Sequence, residues 1–214
     1  MKYTAVVFDL DGTLLDTLED LTNSLNSVLT QNGFEPRTMQ EVKGFLGKGV
    51  GVLIGCALPD GKDDPSFGNV LEEFKTNYAQ HSANKTKPYP QILEMLKTLK
   101  AQGIKIGVIS NKYESAVKKL CPHYFGDLLD IVVGETPSIR RKPAPDSLLH
   151  VMEVLGTNKK ETLFVGDSEV DAQTAQNAGV DFVGVTWGFR TPEDMRPFGA
   201  KVFINNPMEL LKDI

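Results

Sequence analysis

Two pairs of carboxylates stand at short, fixed spacings in this chain. Asp9 and Asp11 lie in Phe8-Asp9-Leu10-Asp11-Gly12-Thr13, and Asp167 and Asp171 in Gly166-Asp167-Ser168-Glu169-Val170-Asp171. Each pair follows a short apolar run of the kind that forms a buried strand, so each sits where a strand gives way to a loop. Aspartate and glycine also end strands for local reasons, and Asp167 or Ser168 could cap a following helix. If the two strands are neighbours, however, four carboxylates crowd one sheet edge. Two like charges about 4 Å apart repel by roughly 4 kcal/mol at an effective dielectric of about 20, and a bound cation relieves that repulsion. All-oxygen donors without clustered His or Cys suit a hard ion, and Mg²⁺ typically takes one or two carboxylates with waters and a phosphate. Magnesium and a phosphorylated ligand are therefore implied together.

Two further segments could serve a phosphate. An apolar run over 104–109 ends in Ser110-Asn111-Lys112 before a helical pattern, and a hydroxyl beside free backbone N–H groups at a helix start makes an anion seat. By itself, Ser110 reads as readily as a helix cap. In Arg141-Lys142-Pro143-Ala144-Pro145-Asp146, basic residues precede a proline-started helix.

The elements that must position these residues follow from periodicity. Apolar runs at 5–10, 104–110, 131–134, 162–165, 182–186 and 202–204 read as buried strands, and amphipathic patterns at 91–102, 114–120, 145–155 and 172–178 read as helices between them. Strand and helix alternate, which predicts an α/β fold with a Rossmann-like parallel sheet covered on both faces. Residues 17–83 break the alternation: Leu18, Leu21, Leu25, Val28 and Leu29, then Val70, Leu71 and Phe74, recur at helical spacing with no convincing strand. This predicts an inserted helical cap. Its exit is Lys87-Pro88-Tyr89-Pro90, where paired prolines keep the backbone extended. The expected division is a catalytic core of residues 1–15 and 88–214 and a cap of residues 16–87.

Bulk properties narrow the ligand class. With 214 residues and 41% hydrophobic composition the chain can bury a substantial core, and a formal net charge of −5 gives no electrostatic reason to expect nucleic acid or an anionic membrane as partner. A small phosphorylated metabolite is the expected partner. The longest apolar runs are strand-sized, far below the roughly 20 residues of a membrane span. The run at the N-terminus is broken at Asp9, too early for an export signal. With Cys56 and Cys121 as the only cysteines, the expected compartment is a reducing cytoplasm. Composition leaves the oligomeric state open.

Taken together, Asp9-Leu10-Asp11-Gly12-Thr13, Ser110-Asn111-Lys112, Lys142-Pro143 and Gly166 to Asp171 resemble, in order and spacing, the motifs of the haloacid dehalogenase-like hydrolase superfamily. The helical insertion falls where members with a cap after the first motif carry it. Val42-Lys43-Gly44-Phe45-Leu46-Gly47-Lys48-Gly49, Lys87-Pro88-Tyr89-Pro90 and Val185-Thr186-Trp187-Gly188-Phe189-Arg190 are similar to the phosphoglycolate phosphatase-like subgroup. Two positions depart from it: Tyr113 stands where a proline is usual, and Glu135-Thr136-Pro137-Ser138-Ile139-Arg140 replaces an acidic, glycine-containing segment.

The resemblance implies a Mg²⁺-dependent phosphatase acting through an aspartyl-phosphate. It makes Asp9 the nucleophile, Asp11 the acid and base, and Ser110 and Lys142 the groups that hold the transferring phosphoryl. The metal would be held by Asp9, by the main-chain carbonyl of Asp11 and by Asp167, with Asp171 behind them orienting Lys142 or a metal-bound water. Gly12, Thr13, Ser110, Asn111, Lys142 and, from the cap, Lys48 are expected to contact substrate. A sugar-phosphate mutase of the same superfamily would share all four motifs, although those mutases tend to carry valine where Thr13 stands. A pocket that only senses a phosphorylated ligand is a third reading, to which a nucleophile beside an acid would contribute nothing.

Overall fold

A computed structural model describes residues 2–212 of the chain; Met1 and residues 213–214, the ends of the expected core, lie outside the described residues. In chain order the elements are β1 (Ala5–Phe8), β2 (Leu15–Asp16), α1 (Leu18–Gln31), α2 (Met39–Phe45), α3 (Val50–Ala57), α4 (Phe67–His81), β3 (Lys87–Pro88), α5 (Ile92–Ala101), β4 (Lys105–Tyr113), α6 (Glu114–Phe125), β5 (Ile131–Glu135), α7 (Asp146–Leu155), β6 (Thr162–Gly166), α8 (Glu169–Ala178), β7 (Asp181–Val185), α9 (Pro192–Met195) and β8 (Val202–Ile204). Six strands form one sheet in the order β5-β4-β1-β6-β7-β8, with every neighbouring pair parallel. No helix among the described residues is long and apolar enough to cross a membrane.

Alternation of side chains along β1 splits its residues between two cores. Val6 and Phe8 pack with Ile106, Val108, Leu163 and Val165 beneath α5 and α6, while Ala5 and Val7 pack with Ile109 and Phe164 beneath α7 and α8. All four β1 residues are buried, which is why the strand reads as a continuous apolar run. The helices α1 to α4 build a separate core in which Leu25, Leu29, Val42, Ile54, Phe74 and Tyr78 converge. This is the inserted helical cap over an α/β sheet.

The two crossings between cap and sheet run side by side as a short antiparallel pair, with Leu15 opposite Pro88 and Asp16 opposite Lys87. Pairing two-residue strands that lie far apart in sequence has no periodicity to announce it. The buried carboxylate of Asp20, at the start of α1, accepts the N–H groups of Lys85 and Thr86 and so ties the outgoing crossing to the incoming one.

One local expectation is corrected. Ser110, Asn111 and Lys112 are not at a helix start; β4 continues through them to Tyr113, and α6 begins at Glu114. The strand is prolonged because Tyr113 pairs with Glu135 of β5 across a register irregularity that begins after Ile109, and such bulges re-aim the side chains they displace. In addition α6 runs to Phe125, past the expected end at 120, with Pro122 inside it. Buried Cys121 and Phe125 hold that last turn to the core.

Candidate active site

The central strand β1 pairs with β4 on one side and β6 on the other, so the chain winds outward from it in both directions. A crevice outside the carboxyl ends of the strands is expected at that switch point. Register makes the juxtaposition specific: Phe8 is opposite both Val108 and Val165, and the N–H of Asp9 donates to the carbonyl of Val165 at 2.9 Å. Asp9, one residue beyond this level, and Ser110 and Asp167, two residues beyond it, therefore emerge at the same sheet edge. Asp9, Asp11, Ser110, Asn111, Lys112, Lys142 and Asp167 all line one cavity, roofed by cap residues from α1, α3 and α4 and by the loop before α3. Its free space is about 60 Å³, far below the roughly 300–1,000 Å³ of sites for drug-sized ligands.

Lys142 reaches this edge from the loop before α7. Its ammonium donates to Asp9 Oδ1 at 2.5 Å and to Asp171 Oδ1 at 2.6 Å, all three groups being buried. Asn111 sets the lysine's backbone: its Oδ1 accepts the N–H of Lys142 and its Nδ2 donates to the Lys142 carbonyl, both at 2.9 Å. The same Nδ2 also donates to the Gly47 carbonyl in the cap. Asn111 thus spends its amide on holding Lys142 and the cap. Ser110 Oγ accepts the N–H of Lys112.

Asp171 belongs to the first turn of α8, where Ser168 is the N-cap. Ser168 Oγ accepts the N–H of Asp171, and Asp171 Oδ2 accepts the N–H and hydroxyl of Ser168. This capping box occupies one carboxylate oxygen of Asp171 and Lys142 the other. Asp167 is held as firmly. Its Oδ1 accepts the Thr13 hydroxyl at 3.0 Å and its Oδ2 the N–H of Phe189 at 2.7 Å. Backbone crowds it from both sides: a Cβ on Gly12, whose φ is +91°, would lie 2.3 Å from Asp167 Oδ2, and a Cβ on Gly188 would lie 2.3 Å from Asp167 Cβ. Neither position accepts a side chain without moving Asp167.

Oxygen atoms of Asp9, Asp167 and Asp171 lie within 4.8 Å of one another. Burial pushes the Asp167 carboxyl up to about 7, the charge of Asp171 adding to the rise against the hydrogen bonds from Phe189 and Thr13. Asp9 also stands well above the usual carboxylate range: burial is the main cause, Lys142 opposes it, and Asp171 and Asp167 reinforce it. For Lys142, burial works against the charge, but Asp171 and Asp9 outweigh it and hold the ammonium protonated. Protons kept on buried, mutually repelling oxygens are what a divalent cation displaces, so the donor set fits such an ion.

Sequence reasoning placed some residues differently and missed others. Gly12 and Thr13 stand behind Asp167 rather than in the cavity wall, and Lys48 is half exposed, its ammonium 3.4 Å from Glu169. Among the residues not anticipated, Lys112 pairs with Asp11 Oδ2 at 3.1 Å. Arg190 donates to the carbonyls of Lys43, Gly44 and Leu46 at the end of α2 and pairs with Glu169 at 3.2 Å. Trp187 Nε1 donates to the Thr13 carbonyl at 3.0 Å. The segment holding Trp187 and Arg190 stands out in the sequence by its resemblance to the subgroup, but their partners, like that of Lys112, lie far away along the chain. The three histidines, His81, His123 and His150, are all exposed.

Comparison with known proteins places the chain in a family. Residues 6–185 match the family profile described as haloacid dehalogenase-like hydrolase. A phosphoglycolate phosphatase of Psychrobacter arcticus is 34% identical over an alignment covering all of this chain and 93% of that protein. One from Rhodobacter capsulatus is 34% identical over 92% of this chain and 91% of its own. The crystal structure of a Lactobacillus delbrueckii subsp. bulgaricus protein, provisionally named a phosphoglycolate phosphatase, superposes with a TM-score of 0.94 at 37% identity, covering 100% of this chain and 99% of the other.

Proposed function

This chain belongs to the haloacid dehalogenase-like hydrolase family, and from that premise we propose that it is a Mg²⁺-dependent phosphatase that hydrolyses a small, phosphoglycolate-like monoester through an aspartyl-phosphate on Asp9. The observation that carries this reading is the placement of two carboxylates two residues apart, Asp9 and Asp11, on one small cavity, with Lys142 on the first and Asp167 beside it. We assign residues 1–15 and 88–214 to the catalytic core and 16–87 to the cap.

In the first half-reaction a carboxylate oxygen of Asp9 attacks phosphorus and the bond from phosphorus to the ester oxygen breaks, while Asp11 gives its proton to the departing oxygen. In the second, Asp11 takes a proton from the attacking water as the oxygen–phosphorus bond to Asp9 breaks, releasing phosphate and restoring both carboxyl groups. Ser110 and Lys142 hold the phosphoryl oxygens, and this positioning supplies most of the rate in such transfers. Asp171, with both oxygens engaged by Lys142 and Ser168, fixes the lysine's place. Asp9, the Asp11 carbonyl and Asp167 would hold a divalent ion, which when bound would neutralise charge between the anionic nucleophile and the anionic phosphate. Closure by the cap excludes bulk water from the aspartyl-phosphate.

The test is a phosphate-release screen over small phosphorylated acids, sugars and nucleotides with Mg²⁺, run beside Asp9→Asn. The amide keeps the volume but is no nucleophile, so the expected result is a normal melting temperature and no detectable phosphate. Turnover retained by Asp9→Asn would move the nucleophile elsewhere, and a sugar phosphate isomerised without phosphate release would make the chain a mutase.

A further inference from the structure

The two lysines on the cavity wall divide the carboxylates of Asp9-Leu10-Asp11 between them. Lys142 holds Asp9, whereas Lys112 pairs with Asp11 Oδ2 at 3.1 Å and has no other charged partner among the described residues. The Lys112 side chain is only 5% exposed, so this contact is made out of water, where attraction between charges is stronger than at a surface. Both ends of the lysine are fixed. Its N–H donates to Ser110 Oγ at 3.1 Å, on the stretch of β4 that the register irregularity re-aims. Its ammonium stands 4.6 Å from the ring centroid of Tyr78, a fully buried residue of α4 in the cap, within range for attraction between a cation and a π face. The ammonium therefore sits where core and cap meet. It engages one oxygen of Asp11; the other, Oδ1, is buried and has no hydrogen-bond partner among the described residues.

A carboxyl group passes a proton efficiently only when it is held in one orientation, and a misplacement of about 1 Å can cost on the order of 100-fold in rate. Asp11 has one oxygen tied and one free, which is the arrangement such a group needs. We propose that Lys112 is the positioning residue of the acid–base step: by holding Asp11 Oδ2 it presents Oδ1 to the ester oxygen of the substrate. In the first half-reaction Oδ1 gives its proton to that oxygen as its bond to phosphorus breaks. In the second, Oδ1 takes a proton from water as the water oxygen bonds to phosphorus and the bond from phosphorus to Asp9 breaks. Lys112 acts through Asp11 and touches neither the phosphate nor the leaving group. This assignment rests on the phosphatase reading given above.

The experiment measures kcat/KM, which covers the steps up to cleavage of the ester bond, for an alkyl and an aryl phosphomonoester in the Mg²⁺-loaded enzyme. A departing alkoxide needs the proton and the oxide of an acidic phenol does not, so a misaligned acid penalises the alkyl ester. Lys112→Met should lower kcat/KM about 100-fold on the alkyl ester and less than about fivefold on the aryl ester. Because the two esters are compared within one variant, their ratio does not depend on how much of that variant folds. When Asp11 is already Asp11→Asn, adding Lys112→Met should cost less than about twofold more on either ester, since no acid is left to position. Equal losses on both esters from Lys112→Met alone, or a full further loss beside Asp11→Asn, would mean that the lysine binds phosphate or supports the fold, and would overturn the assignment. An unchanged alkyl rate in Lys112→Met would overturn it as well, with the phosphatase reading left standing. Absence of phosphate release from every monoester by the wild type would instead remove the phosphatase reading first, and the positioning role with it.

Discussion

Asp11 is the residue with two duties, and each depends differently on the substrate. A proton matters most to a departing alkoxide, whereas an aryl oxide with an acidic conjugate phenol leaves unaided. Asp11→Asn should therefore slow phosphorylation of Asp9 severely with an alkyl phosphate and far less with an aryl phosphate. Attack of water on the aspartyl-phosphate still needs a base, so the variant fed an aryl ester should accumulate phosphoenzyme. Rapid-quench kinetics should show a stoichiometric burst of phenol followed by slow turnover; loss of rate on both esters with no burst would leave Asp11 only a metal-site role. Asp167 is defined by what crowds it. In Gly188→Ala the new methyl meets Asp167 Cβ, and the carboxylate must shift from the N–H of Phe189 and the hydroxyl of Thr13. Isothermal titration should show Mg²⁺ affinity weakened by about tenfold or more, the loss typical when the groups that orient a metal ligand are disturbed. Unchanged affinity would mean that Asp167 does not bind the ion.

At the scale of elements, the cap touches the sheet through few polar contacts. The guanidinium of Arg190, on the loop after β7, gathers the carbonyls of Lys43, Gly44 and Leu46, groups that the end of α2 leaves without helical partners. Asn111 reaches the Gly47 carbonyl from β4. These contacts close the cavity, whereas the Leu15–Pro88 and Asp16–Lys87 pairing holds the far side of the insertion. Arg190→Ala removes the first set without touching any of the hydrophobic cores. Its expected signature is a kcat/KM for a small metabolite reduced about tenfold, with a much smaller effect on an aryl phosphate that needs less sequestration. A melting temperature lowered along with both activities would mean that Arg190 supports the fold instead. The capping box at Ser168 and Asp171 shows the same economy within one element: the turn that starts α8 also aims the carboxylate that holds Lys142.

For the whole molecule, the carboxylates crowded at the switch point couple stability to pH and metal. Carboxyl groups raised in the folded state, Asp9 and Asp167, keep protons that the unfolded chain gives up near pH 4. Between there and about 7, the value for Asp167, the folded state binds more protons than the unfolded one, so the metal-free protein loses stability as pH rises. A cation bound only by the folded state restores that stability by mass action. Thermal melts in chelator and in millimolar Mg²⁺ should therefore diverge progressively from pH 5 to pH 8, with the larger metal-dependent rise at pH 8. A metal-dependent shift that is the same at both ends of this range would show that the cation binds away from these carboxylates.

Several features were legible in the residues alone because their causes are local. Apolar runs gave the sheet, helical spacing over 17–83 gave the cap, and motifs at strand ends and before a helix held the carboxylates, serine and lysine that converge on the cavity. Their order along the chain, joined to the resemblance they carry, already pointed to phosphoryl transfer. The tertiary structure alone decided which side chains complete the site. Arg190 meets Lys43 across 147 residues of sequence and Lys142 meets Asp9 across 133, and Lys112 finds Asp11 and Tyr78 only because β4 continues past the point where a helix was expected. Periodicity reports which face of an element is buried. It carries no record of strand order or bulges, which decide where each strand's last residues point and what they face.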